Sequence, residues 1–197
     1  MNLPNKLTLF RIVLVPVILL VWLFPYGTFG ISIPSFPVGP VSLSVLNIVV
    51  LVLFLIASFT DMLDGKIARK RNLITTFGKF ADPIADKLLV NSIFIVLASK
   101  GAIPVIPVVI MLSRDTIVDC CRMLASQNGV VVAAGMMGKV KTVLQMVTIS
   151  LVLINNLPFE LFYFPMTTIM IWLTAFVSFA SGYSYFVQMK SYIFESM

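Results

Sequence analysis

Long apolar runs separated by short polar stretches make up almost the whole chain. A helix needs roughly 20 apolar residues to cross the apolar core of a bilayer, so such runs predict membrane-spanning helices. The hydropathy pattern predicts an all-α, polytopic membrane protein, a bundle of six transmembrane helices that forms a single membrane domain over residues 1–197. The predicted spans cover approximately residues 8–26, 44–60, 85–100, 103–125, 138–157 and 163–188.

Two stretches between the predicted spans lack a helical pattern. Residues 26–42, YGTFGISIPSFPVGPVS, are rich in Gly, Pro and Ser and contain no charge, which predicts an irregular loop. Residues 125–138, ASQNGVVVAAGMMG, are predicted as a second loop or a re-entrant stretch. A tight turn near Gly101 is predicted to separate the third span from the fourth.

The composition agrees with a membrane location and excludes several classes of function. Of the 197 residues, 59% are hydrophobic and 11% are charged, with a mean hydropathy of +1.05, whereas a soluble domain carries about a quarter charged residues. The net charge of +6 comes from basic residues beside the predicted spans. This placement favours membrane topology, anionic headgroups and phosphate-bearing substrates over nucleic acid. Because the sequence contains no histidine, Ser-His and Cys-His nucleophile pairs are excluded.

The distribution of Lys and Arg predicts the orientation of the spans. With the N-terminus on the cytoplasmic side, Lys100 alone falls on the outer side and Arg114 lies within a span. Cytoplasmic loops are enriched in Lys and Arg, so both termini and residues 61–87 are predicted to be cytoplasmic, in a protein of the cell membrane. The predicted cytoplasmic cations are Lys6, Arg11, Lys66, Arg69, Lys70, Arg71, Lys79, Lys87, Arg122, Lys139, Lys141 and Lys190.

The segment DMLDGKIARKRNLITTFGKFADPIADK contains four of the eight carboxylates of the chain. If the helix of the second span continues through it, Asp61 and Asp64 lie three residues apart on one face. Gly65 and Ala68 lie on the same face. The face is therefore predicted to be both acidic and open to close approach by a ligand.

A second acidic pair opens the third span, where Asp82 and Asp86 are four residues apart and Pro83 suits the first turn of a helix. The loop between the two spans is short and includes Gly78, so the four carboxylates are expected to converge. Without cations they would repel one another strongly. Since hard oxygen ligands suit Mg²⁺ or Mn²⁺, the cluster predicts a site for two divalent metal ions. The alternative is that these acids pair at a solvated helix end with Lys66, Arg69, Lys70, Arg71 and Lys79.

The spacing of these residues resembles the signature of the CDP-alcohol phosphotransferase family. The match reads Asp61-x2-Asp64-Gly65-x2-Ala68-Arg69-x8-Gly78-x3-Asp82-x3-Asp86 and shows no departure from the pattern. The family has six spans, so the resemblance covers nearly the whole chain. It implies a homodimeric enzyme of phospholipid biosynthesis that transfers a substituted phosphate from a CDP-linked donor to an alcohol and releases CMP.

The resemblance also implies a role for each residue of the signature. Asp61, Asp64 and Asp82 are implied to ligate the metal ions. Asp86 is implied to ligate metal and to act as the general base. The small residues of the signature are implied to leave room for the cytidine, and its arginine to contact the phosphates. The implied nucleotide-binding residues are Asp61, Asp64, Gly65, Ala68, Arg69 and Gly78.

Cations near the cytoplasmic ends of other spans indicate the kind of acceptor. Arg114 is the most informative, because a charge within a span is costly and usually functional. The alternative for Arg114 is a buried ion pair with Asp115 or Asp119. Together with Lys139 and Lys141, Arg114 predicts an acceptor that itself carries phosphate. Further predicted site contacts are Asn5, Thr8, Arg11, Lys79 and Arg122.

The segments PNKLTLFR, SRD and GKVKTVLQM, together with FADPIADKLL, resemble those of family members that join CDP-diacylglycerol to glycerol 3-phosphate. They imply these two substrates, with membrane lipids around the spans and no nucleic acid. Inositol phosphate and phosphatidylglycerol are alternative acceptors within the same family. A divalent-cation transporter is a remote alternative, because a transport path needs polar residues across the membrane and outer segments such as LNIVVLVLFL contain almost none.

Overall fold

The computed structural model describes residues 2–70, 75–127 and 135–195. Within these ranges, the structure does not describe the side chains of residues 3, 4, 62–70, 76, 77, 79, 80, 124, 126, 127 and 191–195. In chain order, the described elements are α1 (Leu3–Leu23), a 3₁₀ turn (Tyr26–Phe29), β1 (Ser35–Val38), β2 (Val41–Ser44), α2 (Val45–Lys70), α3 (Thr76–Ser99), α4 (Val105–Gln127), α5 (Met136–Leu153), a second 3₁₀ turn (Phe159–Phe162) and α6 (Met166–Glu195).

The helices confirm the coarser part of the fold prediction. The described chain is mostly helical, and its six long helices follow the order of the six predicted spans. Within the described residues, three stretches are long and apolar enough to cross a membrane: Asn5–Leu23, Met136–Leu153 and Met166–Lys190. The apolar part of α2, Val45–Asp61, is shorter. The six-span topology with cytoplasmic termini stays a prediction.

The chain folds into two compact units. Unit 1 contains Met1–Val96 and Leu153–Phe164, and unit 2 contains Leu97–Val152 and Pro165–Met197. Unit 1 therefore includes α1, the two strands, α2 and most of α3. Unit 2 includes α4, most of α5 and α6.

The core of unit 1 contains the packed helices α1 and α2. On each helix the buried side chains recur every three or four residues, which is the spacing of one helical face. Large apolar side chains on the opposite faces stay exposed, as suits helices that contact lipid. The buried stripes contain Val15, Ile18 and Trp22 on α1 and Val50, Phe54 and Ala57 on α2.

The third helix begins earlier than the predicted residue 85. It starts at Thr76, and Thr75 caps it, since the Gly78 N–H donates to Thr75 Oγ1 at 3.0 Å. Gly78 therefore lies in the first turn of α3, not in a loop, and Pro83 lies inside the helix, not in its first turn. Hydropathy missed this start because the first turns of α3 are polar.

A β-hairpin occupies part of the predicted irregular loop. β1 and β2 pair antiparallel, with Val38 opposite Val41, and Gly39 in the turn has φ +59°, the left-handed conformation common in tight hairpin turns. Prolines in SFPVGP mask the strand pattern, and they are tolerated because both strands are edges. Asn155 Nδ2 donates to the Ser42 carbonyl oxygen at 2.7 Å, so the second segment of unit 1 is tied to the hairpin.

Unit 2 has polar side chains inside and large apolar side chains outside. Thr148 of α5 and Thr174 of α6 are fully buried, and their hydroxyl oxygens are hydrogen-bonded at 2.9 Å. Phe176 and Phe179 of α6 are exposed. In lipid, buried polar groups bond to one another while apolar side chains face the acyl chains. Among the side chains that the structure describes, the buried polar residues of unit 2 are Arg114, Asp115, Lys141, Gln145, Thr148, Thr174, Ser178 and Ser181.

We predict that Gly39→Ala destabilises unit 1. The new residue would adopt a left-handed conformation, at a cost of about 1–2 kcal/mol, and its Cβ would lie 2.6 Å from Leu161 Cδ2. The midpoint of thermal unfolding in detergent should fall by about 2–8 °C. Gly27→Ala is the matched control, because a Cβ there meets nothing within 4 Å. Equal midpoints for the two variants would show that the hairpin turn does not constrain Gly39.

Candidate functional site

Two carboxylates of the acidic segment are bonded to the same helix, α1. Arg11 Nη1 lies 2.5 Å from Asp61 Oδ1 on α2, and the Thr8 hydroxyl donates to Asp82 Oδ1 on α3. Thr8 and Arg11 are three residues apart and are therefore neighbours on the surface of α1. In this way α1 gathers one carboxylate from each of the two acidic helices at one place in unit 1.

The helical spacing of α2 explains the position of Asp61. It lies four residues after the buried Ala57 and continues the buried stripe of α2, with 34% of its side chain exposed. Arg11 extends the buried stripe of α1 and is fully buried. A buried guanidinium requires a counter-charge, so the pair holds α1 against α2 here. Part of the Asp61 side chain stays accessible to a ligand.

A further contact of α1 holds the start of α3. Thr75 Oγ1 donates to Asn5 Oδ1 at 2.8 Å and accepts from the Gly78 N–H. A Cβ at Gly78 would lie 3.3 Å from Thr75 Oγ1, 3.4 Å from Asn5 Oδ1 and 3.7 Å from Asp82 Oδ2. The absence of a side chain therefore allows α3 to approach α1 closely beside Asp82. The role of Gly78 in nucleotide binding stays a prediction.

The helical basis of the acidic signature is confirmed. α2 continues to Lys70, so Asp61 and Asp64 are three residues apart on one helix. Asp86 is partly exposed on α3, four residues after Asp82. Several predicted site side chains lie outside the described residues, namely Asp64, Gly65, Ala68 and Arg69 on α2 and Lys79 on α3.

The donor set of the acidic site fits a hard divalent cation. Asp61, Asp82 and Asp86 are partly exposed and offer carboxylate oxygens, the ligands that Mg²⁺ and Mn²⁺ prefer. Among the described side chains, no three acidic or thiol groups lie close enough together to form a complete metal site. Asp64, the fourth carboxylate of the predicted set, is outside that description.

A second polar cluster lies in unit 2 around Asp115. Lys141 Nζ is 2.6 Å and Arg114 Nη1 is 3.0 Å from Asp115 Oδ1, and all three side chains are buried. Arg114 Nη2 also donates to Ser181 Oγ at 2.6 Å. The ion pair between Arg114 and Asp115, which the sequence left open as an alternative, is therefore present. Two cations share this one carboxylate, so the three charged groups together keep one positive charge.

The three cations predicted to bind the acceptor phosphate have different surroundings. Arg114 and Lys141 meet at Asp115, whereas Lys139 is exposed near the start of α5. Residues two apart on a helix point in nearly opposite directions, which explains why Lys141 is buried and Lys139 is not. The structure thus brings two of the three predicted cations together.

Helix α6 supplies two residues that the sequence pattern did not single out. Ser181 and Tyr185 are four residues apart on its buried face. Arg122 Nη2 donates to Tyr185 Oη at 2.9 Å, and the guanidinium carbons of Arg114 and Arg122 lie 5.6 Å and 5.1 Å from the centre of the Tyr185 ring. The sequence signal that could have identified Ser181 and Tyr185 is the recurrence of polar residues at helical spacing within an apolar span.

The chain resembles known proteins over most of its length. Residues 1–180 match the family described as CDP-alcohol phosphatidyltransferase. The chain is 43% identical over 185 residues to CDP-diacylglycerol–glycerol-3-phosphate 3-phosphatidyltransferase of Bacillus subtilis, with 94% of this chain and 93% of the relative covered. A protein of the same name from Rickettsia bellii is 38% identical over 192 residues, with 97% of each chain covered. Another, from Mycoplasma genitalium, is 39% identical over 152 residues, with 75% of this chain and 63% of the relative covered.

We predict that Asp115→Asn destabilises unit 2. The substitution removes the negative charge between Arg114 and Lys141, and breaking a buried ion pair costs about 3–5 kcal/mol. Thermal unfolding in detergent should show a clearly lower midpoint. Asp119→Asn, on the same helix but partly exposed, is the control and should lower the midpoint much less. A midpoint for Asp115→Asn equal to that of the unsubstituted protein would contradict the role of this carboxylate.

Proposed function

Because the chain belongs to the CDP-alcohol phosphatidyltransferase family, we propose that it transfers the phosphatidyl group of CDP-diacylglycerol to glycerol 3-phosphate, giving phosphatidylglycerophosphate and CMP. The names of two relatives that match this chain over more than 90% of its length support this choice of substrates. The observation that carries the proposal is the convergence of Asp61 and Asp82 on α1. Carboxylate oxygens from two helices are thereby held at one place before a ligand binds.

The proposed reaction is a displacement at phosphorus. A hydroxyl oxygen of glycerol 3-phosphate attacks the phosphorus of the phosphatidyl group, and a new P–O bond forms as the P–O bond to CMP breaks. Asp86 accepts the proton of the attacking hydroxyl. Its position on α3, four residues from Asp82 and so on the same side of the helix, supports this role.

The acidic residues of the signature would hold two divalent metal ions, Mg²⁺ or Mn²⁺. Such ions, when bound, supply charge neutralisation for the pyrophosphate and stabilise CMP as a leaving group. The chain itself supplies orientation, because Thr8 donates to one carboxylate and Arg11 pairs with another. Asn5 contributes to this orientation indirectly, because it accepts a hydrogen bond from Thr75 at the start of α3. The proposed metal ligands are Asp61, Asp64, Asp82 and Asp86.

The nucleotide is proposed to bind against the acidic face of α2. Gly65 and Ala68 would leave room for the cytidine, and Arg69 would bind the phosphates, with Lys79 as a further contact. All three positions of α2 follow Asp61 on a continuous helix, and this continuity supports their common face. Gly78 would keep the approach between α1 and α3 open beside Asp82.

The phosphate of the acceptor is proposed to bind to Arg114, Lys139 and Lys141, with Arg122 as a further contact. Arg114 and Lys141 support this role, because they share Asp115 and keep a net positive charge in a buried place. A buried excess of positive charge favours an anion. A phosphate monoester, with about two negative charges near neutral pH, fits this requirement better than a neutral alcohol.

The proposed location is the cell membrane, with six spans, cytoplasmic termini and a cytoplasmic active site. The cation asymmetry supports it, since Lys100 alone is assigned to the outer side.

The chain is proposed to act as a homodimer among membrane lipids and to bind no nucleic acid. A charge-free stretch from residue 12 to residue 60 agrees with extensive contact with lipid.

The direct test supplies purified protein with CDP-diacylglycerol and Mg²⁺, and with glycerol 3-phosphate, inositol phosphate, serine or phosphatidylglycerol in parallel. Phosphatidylglycerophosphate and an equal amount of CMP are expected with glycerol 3-phosphate. A phosphatidyl product formed only with another acceptor would overturn the proposed acceptor and keep the reaction class. Cation flux into liposomes without CMP release would instead favour a transporter.

We predict that Asp61→Asn, Asp64→Asn or Asp82→Asn abolishes turnover and weakens Mn²⁺ binding. Thermal stability should change little in Asp64→Asn and Asp82→Asn, whereas Asp61→Asn should also lower the unfolding midpoint, because it removes the counter-charge of the buried Arg11. Asparagine keeps an oxygen that can accept the bonds from Arg11 or Thr8 but removes the charge that a metal requires. Mn²⁺ binding is measured by electron paramagnetic resonance and turnover by CMP release, with Asp119→Asn as the control. Near-normal turnover of any of the three variants at ordinary Mg²⁺ concentration would count against the metal site.

We predict that Arg114→Ala raises the KM for glycerol 3-phosphate by one to two orders of magnitude. A charge-assisted hydrogen bond contributes about 1.5–3 kcal/mol, and about 1.4 kcal/mol corresponds to a factor of ten. The KM for CDP-diacylglycerol should change much less, as measured by titrating each substrate while the other is saturating. Lys190→Ala, which removes an exposed cation of α6, is the control. Equal losses for donor and acceptor would assign Arg114 to the fold alone.

A further inference from the structure

We infer that Tyr185 is a positioning residue that sets Arg114 and Arg122 as a pair for the phosphate of the acceptor. The inference rests on the proposed function and adds a residue that the signature does not contain. Tyr185 is 5% exposed and lies on the buried face of α6. Because its side chain is buried, Tyr185 acts on the acceptor through the two arginines whose guanidinium groups lie near its ring.

The ring of Tyr185 is close to both guanidinium groups. Their central carbons lie 5.6 Å (Arg114) and 5.1 Å (Arg122) from the ring centre, within the range in which an aromatic ring attracts a cation. Two guanidinium groups near one ring carry like charges, and the attraction of each to the negative face of the ring offsets part of their repulsion. The ring thus makes it less costly to keep both positive charges in this part of unit 2 before a phosphate binds.

The phenol oxygen links the second arginine to the backbone just before helix α5. Tyr185 Oη accepts from Arg122 Nη2 at 2.9 Å and from the Gly135 backbone N–H at 2.8 Å. A hydroxyl oxygen has two acceptor sites, and these two bonds use both. Arg122 at the end of α4 and Gly135 just before α5 are therefore tied to one point on α6.

The same face of α6 orients the first arginine. Ser181, one turn before Tyr185, accepts from Arg114 Nη2 at 2.6 Å. Next to it, a Cβ at Gly182 would lie 2.7 Å from Arg114 Cγ, so the glycine makes room for the arginine side chain. Ser181, Gly182 and Tyr185 together form a seat for the two guanidinium groups.

This seat explains how the acceptor site would select a phosphate monoester. The planar guanidinium groups suit phosphate oxygens, and holding them in place before binding reduces the entropy lost on binding. An acceptor without phosphate gains nothing from the arrangement. Arg122 thereby gains a defined place in the site, whereas Lys139 is exposed and has no part in this seat.

The test compares Tyr185→Phe, Tyr185→Leu and Ser181→Ala in two-substrate kinetics. Tyr185→Phe keeps the ring and loses the phenol oxygen, so the KM for glycerol 3-phosphate should rise about tenfold. Tyr185→Leu loses the ring as well, and the rise should reach about a hundredfold. Ser181→Ala should raise this KM about fivefold. In all three, kcat and the KM for CDP-diacylglycerol should stay within about twofold of the original values.

Tyr183→Phe is the matched control, because Tyr183 lies two residues away on the exposed side of α6 and should leave every constant unchanged. An unchanged KM for glycerol 3-phosphate in both Tyr185→Phe and Ser181→Ala would overturn the inference. Equal losses for both substrates would also overturn it, since they would indicate a purely structural role. If Tyr185→Leu does not fold, the other two variants decide the outcome.

A failure of the proposed function can be distinguished from a failure of the inference about Tyr185. If the unsubstituted protein used inositol phosphate and not glycerol 3-phosphate, the proposed acceptor would fall. The same variants would then be measured with inositol phosphate, and a selective rise in its KM would support the role of Tyr185. If the unsubstituted protein used glycerol 3-phosphate and the variants behaved normally, the inference alone would fall.

Discussion

A charge in an apolar environment has to be paired, because its separation from water costs far more than an ordinary hydrogen bond returns. Both units meet this constraint by joining charges on different helices. In unit 1, Asp61 of α2 lies against the buried Arg11 of α1. In unit 2, Asp115 of α4 lies between Arg114 of the same helix and Lys141 of α5. These pairs set the positions of the helices that carry the proposed chemistry, so electrostatics and catalysis depend on the same residues.

The role of α1 illustrates how far local sequence reasoning reaches. The spacing of Asp61, Asp82 and their neighbours was sufficient to predict an acidic site on two helices. It could not assign the partners of these carboxylates, because Thr8 and Arg11 are more than 40 residues away in the chain. The charge of Arg11 makes it a candidate site contact in the sequence, whereas its full burial depends on tertiary packing. The pairing is therefore visible only once the helices are assembled.

Averaged hydropathy also explains what was missed elsewhere. A window that contains Thr148 or Ser181 among many apolar residues still scores as apolar, although burial depends on which face of the helix each residue occupies. The polar interior of unit 2 was therefore predicted only at Arg114. The burial of Lys141 and the polar residues of α6 were missed. Hydropathy missed the start of α3 and the hairpin because polar residues and prolines interrupt the apolar pattern there. A helix cap and backbone hydrogen bonds stabilise these two elements instead.

The distance in sequence between Arg11 and Asp61 has a consequence for biosynthesis. Synthesis proceeds from the N-terminus, so α1 leaves the ribosome some 50 residues before its counter-charge on α2. A lone guanidinium does not settle in hydrocarbon, and a long side chain instead extends toward water at the membrane boundary. Arg11 therefore holds the N-terminal end of α1 near the membrane surface until α2 is complete. Formation of the ion pair would then mark the step at which the first two helices become a unit within the bilayer.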